Sequence, residues 1–251
     1  MGFYDLDKLH RQEVVNKISQ RITAAIKEDK PAAFLIHFSD EDTYIRKTAY
    51  LAVGRVYKAY PAYRSVTIGM LNKLLLSENE KVRQTVVNAA GEIGIAEFGP
   101  IEHIMEKALF DPHHSVRNAV IGSMKKMGEK NPGPVLRFAK RFLHHNDKEI
   151  RREICHGIEL RGRKYPEDIL PLLRELQNDE SARVRNTLVH VLGQIAYKKG
   201  CLVTVVADLK RWENKQLVED ALEEIIDVHE RYKDFAVMTQ AEIIKYIAKN
   251  F

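Results

Sequence analysis

Cysteine is scarce in this sequence: Cys155 and Cys201 are the only two in 251 residues, and they form no CxxC pair. That argues against a disulfide framework and a cysteine-built zinc fold, and points to a reducing cytoplasm. Long apolar runs are missing as well. None approaches the ~20 residues that a membrane helix needs, so no membrane partner is expected. The first seven residues hold no apolar signal region, and position 6 is Leu6 rather than the Ser or Thr of a myristoylation signal, so neither secretion nor lipid anchoring is expected. Strand signals are nearly absent, with no extended alternation and no Asn-Gly hairpin. Tryptophan occurs once and aromatics make up 8%, which leaves few platforms for stacking nucleic-acid bases. What the chain does have is 45% hydrophobic and 30% charged residues, enough for a large buried core and too apolar for a disordered chain.

The apolar residues are organised by an internal repeat. An apolar β-branched residue followed by Arg returns as Ile45-Arg46, Val82-Arg83, Val116-Arg117, Ile150-Arg151 and Val184-Arg185. The arginines are 37, 34, 34 and 34 residues apart, and one more step of 34 reaches Glu219 after Val218. Six positions before each stand Asp40, Ser77, Asp111, His145, Asp179 and Glu213, mostly acceptors expected to cap the coming helix. Eight positions after stand Gly54, Gly91 and Gly193, where neighbouring backbones can approach. Pro31, Pro61, Pro100, Pro132 or Pro134, and Pro166 open the preceding apolar segments, where a missing N–H costs nothing.

Each unit therefore reads as helix A, a polar turn and helix B. Examples of helix A are residues 101–110, 134–143 and 169–176; a helix B runs over about 182–197. Its Val184, Leu188, Val191, Leu192 and Ile195 recur at helical spacing. Such pairs cannot bury a face alone and must stack. The Trp and Leu-Gly pattern of tetratricopeptide repeats and the Thr-Pro-Leu-His of ankyrin repeats are both missing. Asp, five residues, then Arg after Val or Ile resembles HEAT repeats instead, as in Phe38-Ser39-Asp40 through Arg46 and Phe110-Asp111-Pro112 through Val116-Arg117. The resemblance covers about residues 31–231. It implies an all-α, right-handed α-solenoid of about six HEAT-like helix pairs with helical caps, in one domain over 1–251. The N-terminal cap covers about 1–30, the repeats 31–60, 61–98, 99–131, 132–165, 166–198 and 199–232, and the C-terminal cap 233–251. The capping helices fall at about 6–27 and 238–249, with Tyr246, Ile247 and Phe251 packing inward. The repeated Asp and Arg are expected to pair from unit to unit as a ladder.

Helix B lines the inner face of such a stack. Positions one and five after the repeated arginine are then Arg152, Asn186 and Asp220, and His156, His190 and Glu224. This face is polar where a packing face would be apolar; a recognition surface and a solvated groove without a ligand are the two readings. Residues 137–164 carry nine Lys or Arg against four acids, while 212–251 carry nine acids against five bases. That polarity steers encounter with an acidic partner.

A narrower resemblance covers about residues 145–228. Ile150-Arg151-Arg152 through Arg161-Gly162-Arg163, then Val184-Arg185-Asn186, then Arg211-Trp212 resemble the HEAT-like DNA alkylation-repair glycosylases. Their chemistry needs a carboxylate beside the developing sugar cation and aromatics around a cationic base. At the matching positions this chain has His156, Lys164 and Gln194 in place of an acid, a Trp and an acid; Glu159 is the nearby acid that remains, and Trp212 is expected to pack. No catalytic residue, metal site or cofactor is expected. His144-His145 lacks a further His at i+4, and Cys155 sits one position before His156 and so on another face. The expectation is a non-catalytic scaffold holding a protein partner through Arg152, His156, Arg163, Asn186 and His190. The alternative is a DNA-binding member of the alkylation-repair superfamily, active or degenerate.

Overall fold

The protein is described here from a computed structural model covering residues 2–251, and no strand occurs among the described residues. The chain divides into two compact units, one running to Asn131 and the other from Pro132 to Phe251. In the first, α1 (Lys8–Lys27) precedes three helix pairs: α2 (Ala32–Phe38) with α3 (Thr43–Ala59), α4 (Arg64–Leu74) with α5 (Glu80–Gly94), and α6 (Glu102–Leu109) with α7 (His114–Lys130). The second holds three more pairs. They are α8 (Pro132–Phe142) with α9 (Lys148–Gly157) and its short continuation α10 (Glu159–Gly162), α11 (Leu170–Arg174) with α12 (Ala182–Ala196), and α13 (Cys201–Leu209) with α14 (Lys215–Arg231). The last helix, α15 (Gln240–Asn250), packs on α14. Within each unit the B helices lie side by side, α5 between α3 and α7, and α12 between α9 and α14.

The hydrophobic period explains the layers. In the first unit Ile26, Phe34, Phe38, Val53, Met70, Val86 and Val120 are buried; in the second Val135, Phe138, Ile154, Leu173, Val184, Leu188 and Ile225 are. Each such side chain contributes roughly 1.5–3 kcal/mol by leaving water. Proline enters where expected. Pro61, Pro100 and Pro166 lie in short 3-10 turns that lead into A helices, and Pro132 is the first residue of α8. Trp212 is buried and donates from Nε1 to Asp208 Oδ2 at 2.8 Å.

The repeated arginine serves two neighbours at once. Arg151 Nη1 donates to the carbonyls of His145 and Asn146 in its own turn, at 2.8 and 3.0 Å. Its Nε and Nη2 grip Asp179 of the next turn at 2.6 and 2.9 Å. Arg83 does the same, with Ser77 and Glu78 carbonyls behind it and Asp111 ahead at 2.7 and 3.0 Å. The ladder is thus present where the next unit supplies an Asp. Arg46 keeps the carbonyls of Asp40 and Glu41, and Arg185 that of Asp179.

Two details correct the sequence reading. The helix caps stand four residues before the arginine, not six: Asp42, Asn79, His113 and Asp147 accept from the backbone two residues on. The residues at six before, Asp40, Ser77, Asp111, His145 and Asp179, instead accept the N–H of the residue two positions later and so fix the turn. At the C-terminus Phe251 is exposed rather than packed, because α15 ends at Asn250. Ile243 is the buried residue of that helix, with Tyr246 and Ile247 half-buried.

Candidate functional site

The candidate site lies wholly within the second unit, on α9, α10 and α12. Asp147 caps α9 by accepting from the Glu149 N–H at 2.8 Å. From that fixed start Arg152 and His156 fall four residues apart, on one face. Asn186 and His190 occupy the same places on α12, one period later. The register brings the two imidazoles together with ring centroids 5.8 Å apart and planes at 84°. A cleft of about 470 Å³ is lined by Arg152, His156, Arg183, Asn186, Thr187 and His190. Four of the five residues expected to form a binding face therefore share one cleft.

The fifth, Arg163, does not line it. Arg163 Nη2 donates to Glu159 Oε1 at 2.5 Å and to Gln194 Oε1 at 2.6 Å. Glu159 is 1% exposed, and its Oε2 lies 3.0 Å from His156 Nε2. Glu159 stands eight positions after the repeated arginine, where Gly54, Gly91 and Gly193 stand in other units. Here helix B is interrupted at this point: α9 ends at Gly157, Ile158 turns at φ −91°, ψ −6°, and α10 begins at Glu159. Glycine weakens a helix by about 1 kcal/mol, which suits it to that break. An ionised carboxylate buried this deeply needs partners, and Arg163 is the principal one. Two donors in the cluster, Arg163 Nε and Gln194 Nε2, are buried without an acceptor in the protein.

The surroundings set the charge. Arg152 is held by Glu149 at 3.0 Å and by Glu153 at 3.5 Å, and Arg183 reaches Glu149 at 3.2 Å. On the other side Glu224 Oε1 lies 3.7 Å from His190 Nδ1, and Arg231 holds the same carboxylate at 3.3 Å. Glu224 comes so near because α14 passes close to Gly193, where a Cβ would stand 2.6 Å from Glu224 Cγ. Of the other basic residues of the charged stretch, Arg137, Lys140 and Arg141 are exposed on α8, the other helix of the pair, Lys148 is exposed at the start of α9, and Arg161 is paired with Asp168. Cys155 is fully buried on a different face from His156, and burial pushes its thiol far up from its ordinary value. It is an inert packing thiol.

The sequence identified the paired histidines and Arg152, since a fixed period places equal positions side by side. It named Glu159 as a nearby acid without showing its burial. Three other units have glycine at that position, but the sixth has the exposed Asp227 there, so the position alone does not signal burial.

Residues 135–225 match the family model described as HEAT repeats. No curated protein matches the chain. Solved structures that resemble it include Kap95p in its complex with RanGDP, at 15% identity over 86% of this chain and 35% of that one, with a TM-score of 0.45. A designed armadillo repeat protein is 18% identical over 75% of this chain and 94% of its own, with a TM-score of 0.31. The CpcE and CpcF complex of phycocyanin lyase from a Nostoc species is 15% identical over 88% and 94%, with a TM-score of 0.34.

Proposed function

Because the chain carries HEAT repeats, we propose that it is a non-catalytic binding scaffold that holds a protein partner against the B-helix face of its fourth and fifth units. The observation that carries this reading is the cleft shared by Arg152, His156, Asn186 and His190. Each lining residue carries a polar group, and two neighbouring helices hold those groups in register. Asn186 offers an amide that both donates and accepts, the histidines further polar contacts, and Arg152 only the N–H groups that Glu149 and Glu153 leave over. Arg163 supports the cleft from behind by holding Glu159.

Protein is favoured over nucleic acid on charge. Arg152 and Arg183 already share Glu149, Arg151 is paired with Asp179, Arg161 with Asp168 and Arg163 with Glu159, and Arg137, Lys140 and Arg141 lie on α8. A phosphate track needs several unpaired cations in a row. No helix among the described residues is long and apolar enough to cross a membrane; the reading places the protein in the cytoplasm, where Cys155 and Cys201 stay reduced. It also treats residues 1–251 as one domain, on the 34-residue sequence step from Arg117 to Arg151.

The test is affinity purification of the full chain from its native cell, wild type beside Arg152→Ala combined with Asn186→Ala. A protein retained by the wild type and lost from the variant, with melting unchanged, is the expected result. Equal retention by both would place the partner elsewhere. Salt-sensitive binding to duplex DNA, with no protein retained, would replace this reading by the nucleic-acid one.

A further inference from the structure

His156, Glu159 and His190 each offer a donor atom within 4.8 Å of the other two. From this convergence we propose that they form a site for one divalent transition-metal ion of the zinc class, opening into the cleft beside Arg152 and Asn186. The inference goes beyond the scaffold reading and stands without it.

The donor set suits such an ion. Two imidazoles and one carboxylate are the ligands of open, three-residue zinc sites, which keep a further position for water or an incoming group. His156 Nε2 and Glu159 Oε2 are 3.0 Å apart. Two bonds of roughly 2.0–2.1 Å at a tetrahedral angle span about 3.3 Å, so this pair needs only a slight opening. His190 must move closer, and its half-exposed side chain has room to turn.

Support around the donors resembles that of a metal site. Arg163 holds Glu159 by Oε1 and thereby aims Oε2 at His156. Glu224 adds negative potential beside His190. At the step that Glu159 occupies, the sixth unit has the exposed Asp227, whereas Glu159 is buried. Three other units carry glycine at that step, and here the helix is broken after Gly157, with the carboxylate turned inward.

The experiment titrates the metal-free full chain with Co²⁺ alone and with Zn²⁺ alone, reading cobalt absorption in the visible and heat of binding. One Co²⁺ per chain with an intense low-symmetry spectrum, displaced by Zn²⁺, is expected. His190→Ala and His156→Ala should each weaken binding by about 10-fold or more, and Glu159→Gln should change the spectrum. His190→Ala keeps the test decisive if Glu159→Gln fails to fold. His144→Ala, at an exposed histidine outside the cluster, should leave binding intact. The proposal is overturned if the wild type takes up no ion in the micromolar range. It is equally overturned if His156→Ala and His190→Ala bind as the wild type does, or if His144→Ala removes binding.

Discussion

Arg151 and Asp179, 28 residues apart in sequence, meet as a two-bond fork, Nε to Oδ2 at 2.6 Å and Nη2 to Oδ1 at 2.9 Å. The side chains are 8% and 5% exposed, so the fork that joins the fourth unit to the fifth is nearly dry.

Breaking it should be costly. Arg151→Ala leaves the Asp179 carboxylate buried without its cation and frees the carbonyls of His145 and Asn146. A loss of about 3–5 kcal/mol in urea unfolding is expected. Arg46→Ala removes only bonds to carbonyls of its own turn and should cost about 1 kcal/mol. Equal losses at the two sites would show that the fork to Asp179 adds nothing.

Acid should unfold the protein through the same contacts. Burial pushes the Asp179 carboxyl up, but the Arg151 fork and the Ser181 N–H outweigh it, and the group is held below its ordinary 3.8. Asp111 behaves alike: burial raises it, and Arg83 with the His113 N–H brings it down. A depressed carboxyl stabilises the fold above its unfolded value, and that contribution is lost as pH falls through the folded one. Stability should therefore drop as pH falls below about 4. Asp179→Asn should lower stability at neutral pH and flatten this acid limb. A limb unchanged in Asp179→Asn would assign it to other groups.

Two glycines should respond in opposite directions. A Cβ on Gly91 of α5 would stand 2.6 Å from Ser123 Cβ of α7, with Ser123 Oγ also in the way. Gly91→Ala should destabilise by about 1–3 kcal/mol, since one helix must shift. A Cβ on Gly122 of α7 meets nothing within 4 Å. Gly122→Ala should stabilise by about 0.5–1 kcal/mol through helix propensity alone. Thermal melts of the two variants check the contrast; a stabilised Gly91→Ala would show that α5 and α7 separate freely.

The contrast also shows how far a sequence can be read. Gly54, Gly91 and Gly193 could be marked as close approaches from their common place in the period, and their surroundings bear this out. Glu159 at the same place could not be interpreted, because its burial depends on a helix break whose position is set by packing. Arg163 was expected among the partner-facing residues, yet its guanidinium is taken by Glu159 and Gln194. Gln194 lies on another helix, 31 residues on, and no local pattern announces it. The caps moved by two residues for a similar reason. Asp111 and Asp179 were available as caps, but each is drawn into the fork of the preceding arginine and the brace of its own turn.

The sequence alone determined the period, the helical class and which residues occupy equivalent places, because a 34-residue recurrence of apolar positions admits one way of burying them. It determined that His156 and His190 would be neighbours. Only the tertiary structure decided which polar group each of those residues meets, because that depends on where helix B breaks, how closely α14 passes Gly193, and which buried charge must be answered by which arginine. Periodicity fixes a residue's face, while partner choice at that face is settled by contacts from elements distant in the chain.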